Sequence, residues 1–433
     1  MVAQRLFRFA VPILLLTAIV AAEVAPSVPT AAGSTTTGAV GTDLTLGVTH
    51  TQSSPGSSGS PAAVSSAIGI LQHTVAYENV SIMGWGVGNP EPSPGSYDWS
   101  SLDARMRLVF RGGGTPVITI CCAPDWMKGG TPGKTNWANI ELAPLPSHFA
   151  AFAQLAVAVA ERYPEVHTFQ IWNEYKGFWD TKTNNWDNSG FVAFYNTVYD
   201  ALKAYNPSLR VGGPYVPLTV WGSASAGGHP SSLVGPWGTV DQRSLDAISY
   251  WVKHAHGADF IAVDGGIDPK DGILPADPFA AVSMFAAVDW WLRAQTRLPI
   301  WWSEWYVGLP GMQTNEGMWS SLATVALFQL ATSGARVALM WDPEKYSASA
   351  TPGLWSSTDL PSGGKPTPLV PVFQALRSRF PPGTSVSLTS PAPGVIALQS
   401  ATHRILVETR STKSKVVTAT GTIALGPWQI VAT

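Results

Sequence analysis

Short apolar runs rich in β-branched residues alternate along the chain with longer stretches of helical periodicity. The apolar runs predict eight strands, at residues 44–48, 80–85, 116–121, 166–172, 210–213, 259–263, 299–302 and 336–341. Helices are predicted most clearly at residues 146–163, 191–205, 278–298 and 315–333, because each of these stretches ends close to a proline or a glycine. The alternation indicates repeated strand–helix units.

Eight such units predict an α/β fold, a (β/α)8 TIM barrel, over residues 42–360. A doubly wound open sheet is the alternative, but no glycine-rich phosphate-binding loop follows the first strand. Helix signals stop after Arg379, and short strands are predicted at residues 386–388, 395–399, 405–409, 416–418 and 423–430. Residues 366–433 are therefore expected to form a small C-terminal β-sandwich or sheet domain.

The first residues have the pattern of an export signal. Arg5 and Arg8 precede an apolar run at residues 9–22, and small residues follow it. The run is shorter than the ~20 residues that a membrane-spanning helix needs. We interpret residues 1–22 as a cleaved signal peptide and residues 23–41, rich in Ala, Pro, Ser, Thr and Gly, as a disordered linker. The mature protein is expected to be secreted and to have no membrane association.

Composition narrows the classes of partner and cofactor. Only 12% of the residues are charged, the net charge is −2 and no basic block is present, which argues against a nucleic-acid partner. Cys121 and Cys122 are the only cysteines; two buried thiols are the favoured interpretation and a vicinal disulfide is the alternative. His254 and His256 are two residues apart and would not share a helix face, so no metal site is predicted.

Two strand ends carry carboxyl groups suited to acid–base and nucleophilic chemistry. The fourth strand leads into Glu174 and the seventh into Glu304, each directly after an apolar, aromatic run. In a barrel these strands lie on opposite sides, and their carboxyl groups can approach to ~5–5.5 Å, the separation that retaining glycosidases use. We assign Glu174 as the acid/base and Glu304 as the nucleophile, with Asn173 placed to bind a sugar 2-hydroxyl. No cofactor is required.

The Trp172-Asn173-Glu174 and Trp302-Ser303-Glu304 motifs resemble the acid/base and nucleophile motifs of the clan A retaining glycoside hydrolases. Among these, family 39, which includes β-xylosidases and α-iduronidases, is the most similar. The resemblance implies a barrel accompanied by β-sandwich elements, and the same roles for the three residues. The chain departs from the clan pattern in two places. It has no arginine at the end of the second strand, and Asp264 ends the sixth strand where histidine or tyrosine is expected.

Other residues at strand ends and in the following loops are candidate sugar ligands. Trp341 resembles the strand-eight tryptophan that forms the floor of the clan's sugar site, with a core position as the alternative. The polar candidates could form hydrogen bonds to sugar or, alternatively, stabilise the loop structure. The aromatic candidates could stack on a sugar ring or, alternatively, pack the loops. The candidate set consists of His50, Trp85, Asp125, Trp126, Trp179, Asp264 and Trp341.

Together these features predict an exported retaining glycoside hydrolase. Its substrate is expected to be a poly- or oligosaccharide, cleaved at O-glycosidic bonds through a covalent glycosyl-enzyme. Two alternatives remain open. A non-catalytic carbohydrate-binding barrel would bind sugar without turnover, and a transglycosidase would pass the sugar to another sugar instead of water.

Overall fold

The computed structural model describes residues 38–56, 59–347, 352–418 and 421–433. The predicted signal peptide and the linker up to residue 37 lie outside the described residues. Within the described ranges, no helix is both long enough and apolar enough to cross a membrane. The described residues form one compact unit.

Eight parallel strands close into a barrel, which confirms the predicted fold class. Each strand pairs in parallel with its neighbours, and the last closes the barrel on the first through Val337 and Thr45. The strands are β1 Thr45–Thr49, β2 Tyr77–Ser81, β3 Thr115–Ile120, β4 Thr168–Ile171, β5 Arg210–Pro217, β6 Phe260–Gly266, β7 Ile300–Tyr306 and β8 Ala335–Trp341.

Helices follow the barrel strands and cover the outside of the barrel. Several begin at an acidic or amide side chain that accepts a hydrogen bond from a backbone N–H of the first turn, such as Asp187, Asp241 and Asn315. The helices are α1 Pro61–Thr74, α2 Ser100–Gly112, α3 Phe149–Arg162, α4 Asn188–Tyr205, α5 Gln242–His254, α6 Pro278–Ala281, α7 Ser283–Gln295, α8 Glu316–Ser333 and α9 Val370–Arg379.

Three barrel strands extend further at their C-terminal ends than the sequence predicted. β5 extends to Pro217, β6 to Gly266 and β7 to Tyr306, each three or more residues beyond the end that the apolar pattern indicated. The apolar runs stop where polar residues begin, but backbone pairing continues, and Asp264 of β6 lies in register with Glu304 of β7. The extra residues therefore belong to the barrel wall.

The C-terminal sheet packs on the barrel through α8. Its strands are β9 Ser385–Ala392, β10 Val395–Gln399, β11 Arg404–Glu408, β12 Ser414–Thr418, β13 Gly421–Leu425 and β14 Ile430–Ala432. The sheet order is Val40–Gly41, β9, β10, β11 and β14, while β12 and β13 form a hairpin. Val386, Leu398 and Ile405 belong to the same buried cluster as the residues of α8. Thirteen of the eighteen residues of α8 are buried as a result.

Three boundaries at the ends of the chain differ from the sequence interpretation. Val40–Gly41, assigned to the linker, pairs with β9. Helix α9 occupies the start of the segment 366–433 that was expected to be all-β. The strand predicted at residues 423–430 is two strands, β13 and β14, because a turn at residues 426–429 interrupts it.

Short elements shape the loops between barrel strands and helices. Antiparallel pairs occur in the loops after β4 and β5, and a parallel pair after β8. These are Trp179–Asp180 with Asn185–Trp186, Pro230–Gly235 with Gly238–Asp241 and Val220–Trp221, and Glu344–Lys345 with Trp355–Ser356. Single turns of 3₁₀-helix cover Asp125–Lys128, Trp137–Asn139, Pro146–His148, Ala226–Gly228 and Met312–Thr314.

Cys121 and Cys122, directly after β3, are joined by a disulfide. The peptide bond between them is cis, and both residues are fully buried. The prediction of two free thiols is therefore wrong, and the vicinal disulfide is correct. Adjacency along the sequence is compatible with both states, so the spacing alone did not distinguish them.

Candidate active site

A cavity of about 350 Å³ opens at the C-terminal ends of the barrel strands. Its size lies in the range typical of small-molecule sites. Five of the ten residues predicted from the sequence line it: Trp85, Asn173, Glu174, Glu304 and Trp341. Residues that the sequence analysis did not place there also line it, namely Lys176, Asp268, Trp305, Tyr306, Gly308, Trp319, Met340 and Asp342.

The two glutamates reach this cavity from opposite sides of the barrel. Glu174 follows β4, and a quarter of its side chain is exposed. Glu304 lies within β7 and is 8% exposed. The Asn173 Nδ2 donates to Glu304 Oε1 at 3.4 Å, so the residue beside one glutamate contacts the other across the barrel. The separation of 5–5.5 Å between the carboxyl groups stays a prediction.

Tyr215 of β5 is a contact of Glu304 that was not predicted from the sequence. Its Oη donates to Glu304 Oε1 at 2.7 Å, and the tyrosine is fully buried. The predicted strand stopped at residue 213, which left Tyr215 in a loop. Alternation along a longer strand would not have located it, because Gly213 faces Tyr195 on the outside of the barrel. The pairing of β5 with β6 shifts register at Tyr215, where φ is 58°, and this bulge turns the ring toward the barrel interior with Phe260 and Trp301.

The pKa of Glu304 is raised to about 8. Burial is the largest cause, and the nearby charge of Glu174 adds to it. The hydrogen bond from Tyr215 favours the charged form and opposes these effects. Burial and the Glu174 charge therefore favour the protonated form of Glu304 in the free protein.

Lys176 contacts the other glutamate. Its Nζ lies 2.6 Å from Glu174 Oε2 and 3.2 Å from Glu141 Oε1, and it sits over the ring of Trp85 at 4.8 Å. Burial raises the pKa of Glu174, but the hydrogen bond with Asp264 and the charge of Lys176 together outweigh it. The pKa of Glu174 consequently lies below its ordinary value, and the carboxylate is ionised.

This distribution of protons is the reverse of the one that double displacement requires. An acid at Glu174 must carry a proton, and a nucleophile at Glu304 must be ionised. The two arrangements contain the same number of protons and differ only by moving one from Glu304 to Glu174. The two groups interact, so their apparent pKa values belong to the pair. Any contact that draws Lys176 away from Glu174 favours the proton on Glu174.

Backbone strain concentrates around the cavity. Trp85, Glu174, Tyr215 and Asp342 all have positive φ angles, between 49° and 58°. Non-glycine residues in this region cost roughly 1–3 kcal/mol each and occur preferentially at functional sites. Three of these residues line the cavity, and the fourth donates a hydrogen bond to Glu304. The strain therefore marks the same place as the carboxyl groups.

The cavity combines aromatic walls with an excess of acidic groups. Trp85, Trp305 and Trp341 line it together with four carboxyl groups and one lysine. Burial raises the pKa of Asp268 and that of Asp342, each to about 6. Above that pH both carry negative charge. Such a lining suits an uncharged ligand with flat apolar faces and hydroxyl groups, and it disfavours anions.

Asp264 and His50 were predicted as sugar ligands, but the structure places neither on the cavity. Asp264 is completely buried and does not line the cavity. His50 is 2% exposed, and its ring bonds to Ser54 Oγ at 2.9 Å and Glu78 Oε2 at 3.0 Å. Burial lowers the pKa of His50. The polar partners of His50 come from its own loop and the next strand, and they hold the ring within the barrel wall.

The three remaining candidates stabilise loops instead of lining the cavity. Asp125 Oδ2 accepts from the Asn136 backbone N–H at 2.8 Å, which holds the loop after β3. The Trp126 Nε1 donates to a backbone carbonyl at 2.9 Å. Trp179 packs edge-on against Trp186, with ring centroids 4.8 Å apart. The observed contacts of these three residues therefore fit a role in loop structure and packing, which was the alternative to sugar binding.

Replacing Tyr215 with phenylalanine (Tyr215→Phe) is expected to raise the pKa of Glu304 further. The variant loses a donor that favours the charged carboxylate, and loss of such a donor raises the pKa of an acid. If Glu304 must be ionised for activity, the acidic limb of the kcat/KM profile will move to higher pH, by about one unit. The measurement is the pH dependence of aryl-glycoside hydrolysis.

The matched control for this variant is Tyr195→Phe. Tyr195 is also buried, and its hydroxyl donates to the Gly257 carbonyl at 3.0 Å on the outside of the barrel. This control is expected to leave the pH profile unchanged. An unshifted profile in Tyr215→Phe would contradict the role of this hydrogen bond.

Solved structures with the same fold include glycoside hydrolases. A monomeric beta-xylosidase from Caulobacter crescentus CB15 has a TM-score of 0.56 at 18% identity, over 86% of this chain and 75% of that one. A family 39 glycoside hydrolase from the gut symbiont Bacteroides cellulosilyticus has a TM-score of 0.57 at 15% identity, over 86% and 72%. A conserved exported protein from Bacteroides fragilis has a TM-score of 0.63 at 11% identity, over 91% and 97%.

These similarities confirm the predicted likeness to family 39 at the level of the fold. No protein-family model matches the chain, and no curated protein matches it significantly. Fold alone does not fix an activity, so the chemistry must be argued from the cavity.

Proposed function

We propose that this protein is a retaining glycoside hydrolase acting on a neutral sugar at the non-reducing side of an O-glycosidic bond. The observation that carries the proposal is the pair Glu174 and Glu304, presented by β4 and β7 to one sugar-sized cavity, with Asn173 bonded across it. Paired carboxyl groups in this arrangement supply both proton transfer and nucleophilic attack.

In the proposed reaction, Glu304 attacks the anomeric carbon while Glu174 donates a proton to the leaving oxygen. Glu174 then removes a proton from water, which releases the sugar from Glu304. Asn173 Oδ1 is buried and has no hydrogen-bond partner among the described residues. We assign it the sugar 2-hydroxyl, a contact that strengthens as positive charge develops on the ring.

Similarity to family 39 is compatible with neutral and with acidic sugars, and the cavity favours the neutral ones. Its acidic lining would repel a uronic acid carboxylate. Trp85 and Trp341 are partly exposed in the cavity and can stack on the apolar face of a sugar ring. Lys176, the cation among the described lining residues, already pairs with two glutamates.

The experiment that tests this proposal is a panel of aryl glycosides of neutral sugars and uronic acids. The configuration of the first product is then determined by NMR before it mutarotates. Hydrolysis of a neutral glycoside with retained configuration is expected. An inverted first product would contradict the assignment of Glu304 as a nucleophile, and preference for a uronide would contradict the reading of the charged lining.

A second candidate function is supported by the ion pair between Lys176 and Glu174. With this ion pair in place, Glu174 is ionised and cannot donate a proton. The same arrangement would be acceptable in a carbohydrate-binding barrel that does not catalyse a reaction. Such a protein would bind oligosaccharides in calorimetry and release no reducing sugar. Product analysis with added acceptor sugar separates hydrolysis from transglycosylation, which shares the covalent intermediate.

Replacing Lys176 with methionine (Lys176→Met) is expected to raise the pKa of Glu174, because the ionised carboxylate loses its cationic partner. Glu174 will then stay protonated to higher pH, and the alkaline limb of kcat/KM will move upward by about one unit. Lys182→Met, on an exposed turn of the same loop, is the control and is expected to leave the limb in place. A downward shift in Lys176→Met would contradict the assignment of Glu174 as the acid.

We also propose that the protein is exported. The support is the charged and apolar pattern of residues 1–22, followed by small residues. Amino-terminal sequencing of protein recovered from the culture medium is expected to begin after residue 22. Recovery of the uncleaved chain from the cell alone would contradict it.

A further inference from the structure

Asp264 is a third carboxyl group beside the two glutamates, and it is completely buried. It lies on β6, with its backbone in register with Glu304 of β7 and with Pro217 of β5. No N–H or hydroxyl donor among the described residues bonds to either of its side-chain oxygens. Among the described residues, no lysine, arginine or histidine forms an ion pair with Asp264. A buried carboxylate without donors or a counter-ion is strongly disfavoured.

The group within hydrogen-bonding reach of Asp264 is the Glu174 carboxyl. A hydrogen bond between two carboxyl groups requires a proton on one of them. Glu174 is ion-paired with Lys176, so its charged form is the favoured one. The proton therefore belongs to Asp264, and the hydrogen bond runs from Asp264 to Glu174.

We propose that Asp264 is a positioning residue: an uncharged carboxylic acid that donates its O–H to Glu174 and fixes the orientation of that carboxyl toward the cavity. This inference rests on the proposed function for its kinetic consequences. Its protonation state does not depend on that function. Asp264 is not expected to touch a ligand itself, because it is completely buried and does not line the cavity.

The surrounding charges agree with this protonation state. Burial raises the pKa of Asp264 well above its ordinary value, and the charges of Glu174 and Glu304 raise it further. Lys176 opposes these effects without cancelling them. The other titratable neighbours are the hydroxyl groups of Tyr215 and Tyr306, which stay neutral because burial raises their pKa values as well. An ionised Asp264 would place a further negative charge beside the Glu174 carboxylate.

The first test measures thermal stability against pH for the wild type and for Asp264→Asn. An acid whose pKa is higher in the folded than in the unfolded state stabilises the fold fully only below the unfolded pKa of about 3.9. That contribution is lost as pH rises toward the folded pKa. Asparagine keeps a hydrogen-bond donor and does not titrate, so its contribution to stability does not fall as pH rises. The Tm advantage of Asp264→Asn is therefore expected to grow between pH 4 and pH 8, to roughly 3 °C.

Asp103→Asn is a control with the opposite sign. The hydrogen bond from Arg162 lowers the pKa of Asp103, so this substitution is expected to cost stability at neutral pH and little in acid. A Tm difference for Asp264→Asn that stays constant with pH, or that turns unfavourable as pH rises, would overturn the inference, because it would show a charged Asp264.

The second test compares the kinetics of Asp264→Asn with those of Asp264→Leu, which has a similar volume and no donor. Asp264→Asn is expected to keep kcat and KM within about threefold of the wild type. Asp264→Leu is expected to lower kcat on a poor leaving group roughly tenfold or more, with little change in KM. It is also expected to move the alkaline limb of kcat/KM upward, because Glu174 loses a donor that favours its charge. Equal losses in both variants would overturn the positioning role.

The two tests separate this inference from the proposed function. If the wild type hydrolyses no glycoside, the proposed function fails, and the Tm measurement still decides the protonation state of Asp264. If the wild type is an active glycosidase and the Tm difference is independent of pH, the inference alone fails. If Asp264→Leu does not fold, the Asp264→Asn results remain decisive.

Discussion

Replacing Glu304 with alanine (Glu304→Ala) is expected to lower turnover of an aryl glycoside by a factor on the order of 10⁴ or more, the scale seen when an enzyme loses its nucleophile. The carboxyl group lies within β7 and is 8% exposed, and its removal leaves the anomeric carbon without the nucleophile that the proposal assigns. The measurement is the initial rate of release of the aryl group.

Two controls make this prediction specific to nucleophilic attack. Glu304→Gln keeps the shape and the contacts with Tyr215 and Asn173, and is expected to bind sugar and turn over no faster than Glu304→Ala. Azide should enter the space left in Glu304→Ala and give a glycosyl azide with inverted configuration. Residual turnover above about one hundredth of the wild type, without azide, would contradict the role of Glu304.

Replacing Glu174 with alanine (Glu174→Ala) is expected to affect substrates according to their leaving groups. Glycosides with poor leaving groups need a proton on the departing oxygen, and should lose roughly 10²–10⁴-fold in kcat/KM, the usual contribution of general acid catalysis. Activated aryl glycosides leave without a proton and should lose much less. The measurement is kcat/KM for a series of leaving groups of increasing pKa.

The control for this prediction is Glu141→Ala. Glu141 also pairs with Lys176, at 3.2 Å, but its side chain is 62% exposed and it does not line the cavity. Its removal is expected to change all substrates equally and by less than about threefold. Equal losses across the leaving-group series in Glu174→Ala would show that Glu174 acts on binding or folding and not on the leaving group.

The fold and the two glutamates could be predicted from the sequence because each depends on local patterns. Apolar runs separated by helical stretches define the barrel, and the motifs containing Glu174 and Glu304 stand directly after aromatic runs. A barrel then brings strand ends together regardless of their distance along the chain. Side-chain identity at a strand end was therefore enough to locate this pair.

The contacts that set the protonation of the site could not be predicted in the same way. Tyr215 and Glu304 are 89 residues apart, and their hydrogen bond depends on how far β5 extends. Apolar periodicity does not show that extension, because the strand continues past its apolar run. His50 illustrates the converse error: it follows β1 as a rim residue would, but Glu78 of β2 binds its ring inside the wall.

The C-terminal region shows a similar limit. The sequence predicted a helix at residues 315–333 and a small β-sandwich or sheet domain at residues 366–433. In the structure the sheet covers the outer side of α8, and Ser321 Oγ donates to the Trp428 carbonyl at 2.8 Å. A helix that is buried on most sides needs such a cover, but the sequence does not say which segment supplies it.

The most direct test of the central claim is covalent labelling. The reagent is a 2-deoxy-2-fluoro glycoside of the preferred sugar with a good leaving group. The fluorine slows both chemical steps, and the leaving group restores the first of them, so the glycosyl-enzyme should accumulate. Peptide mapping by mass spectrometry is expected to find one sugar on the peptide that contains Glu304. A label on Glu174 or on any other carboxyl group, or steady turnover without a label, would contradict the account.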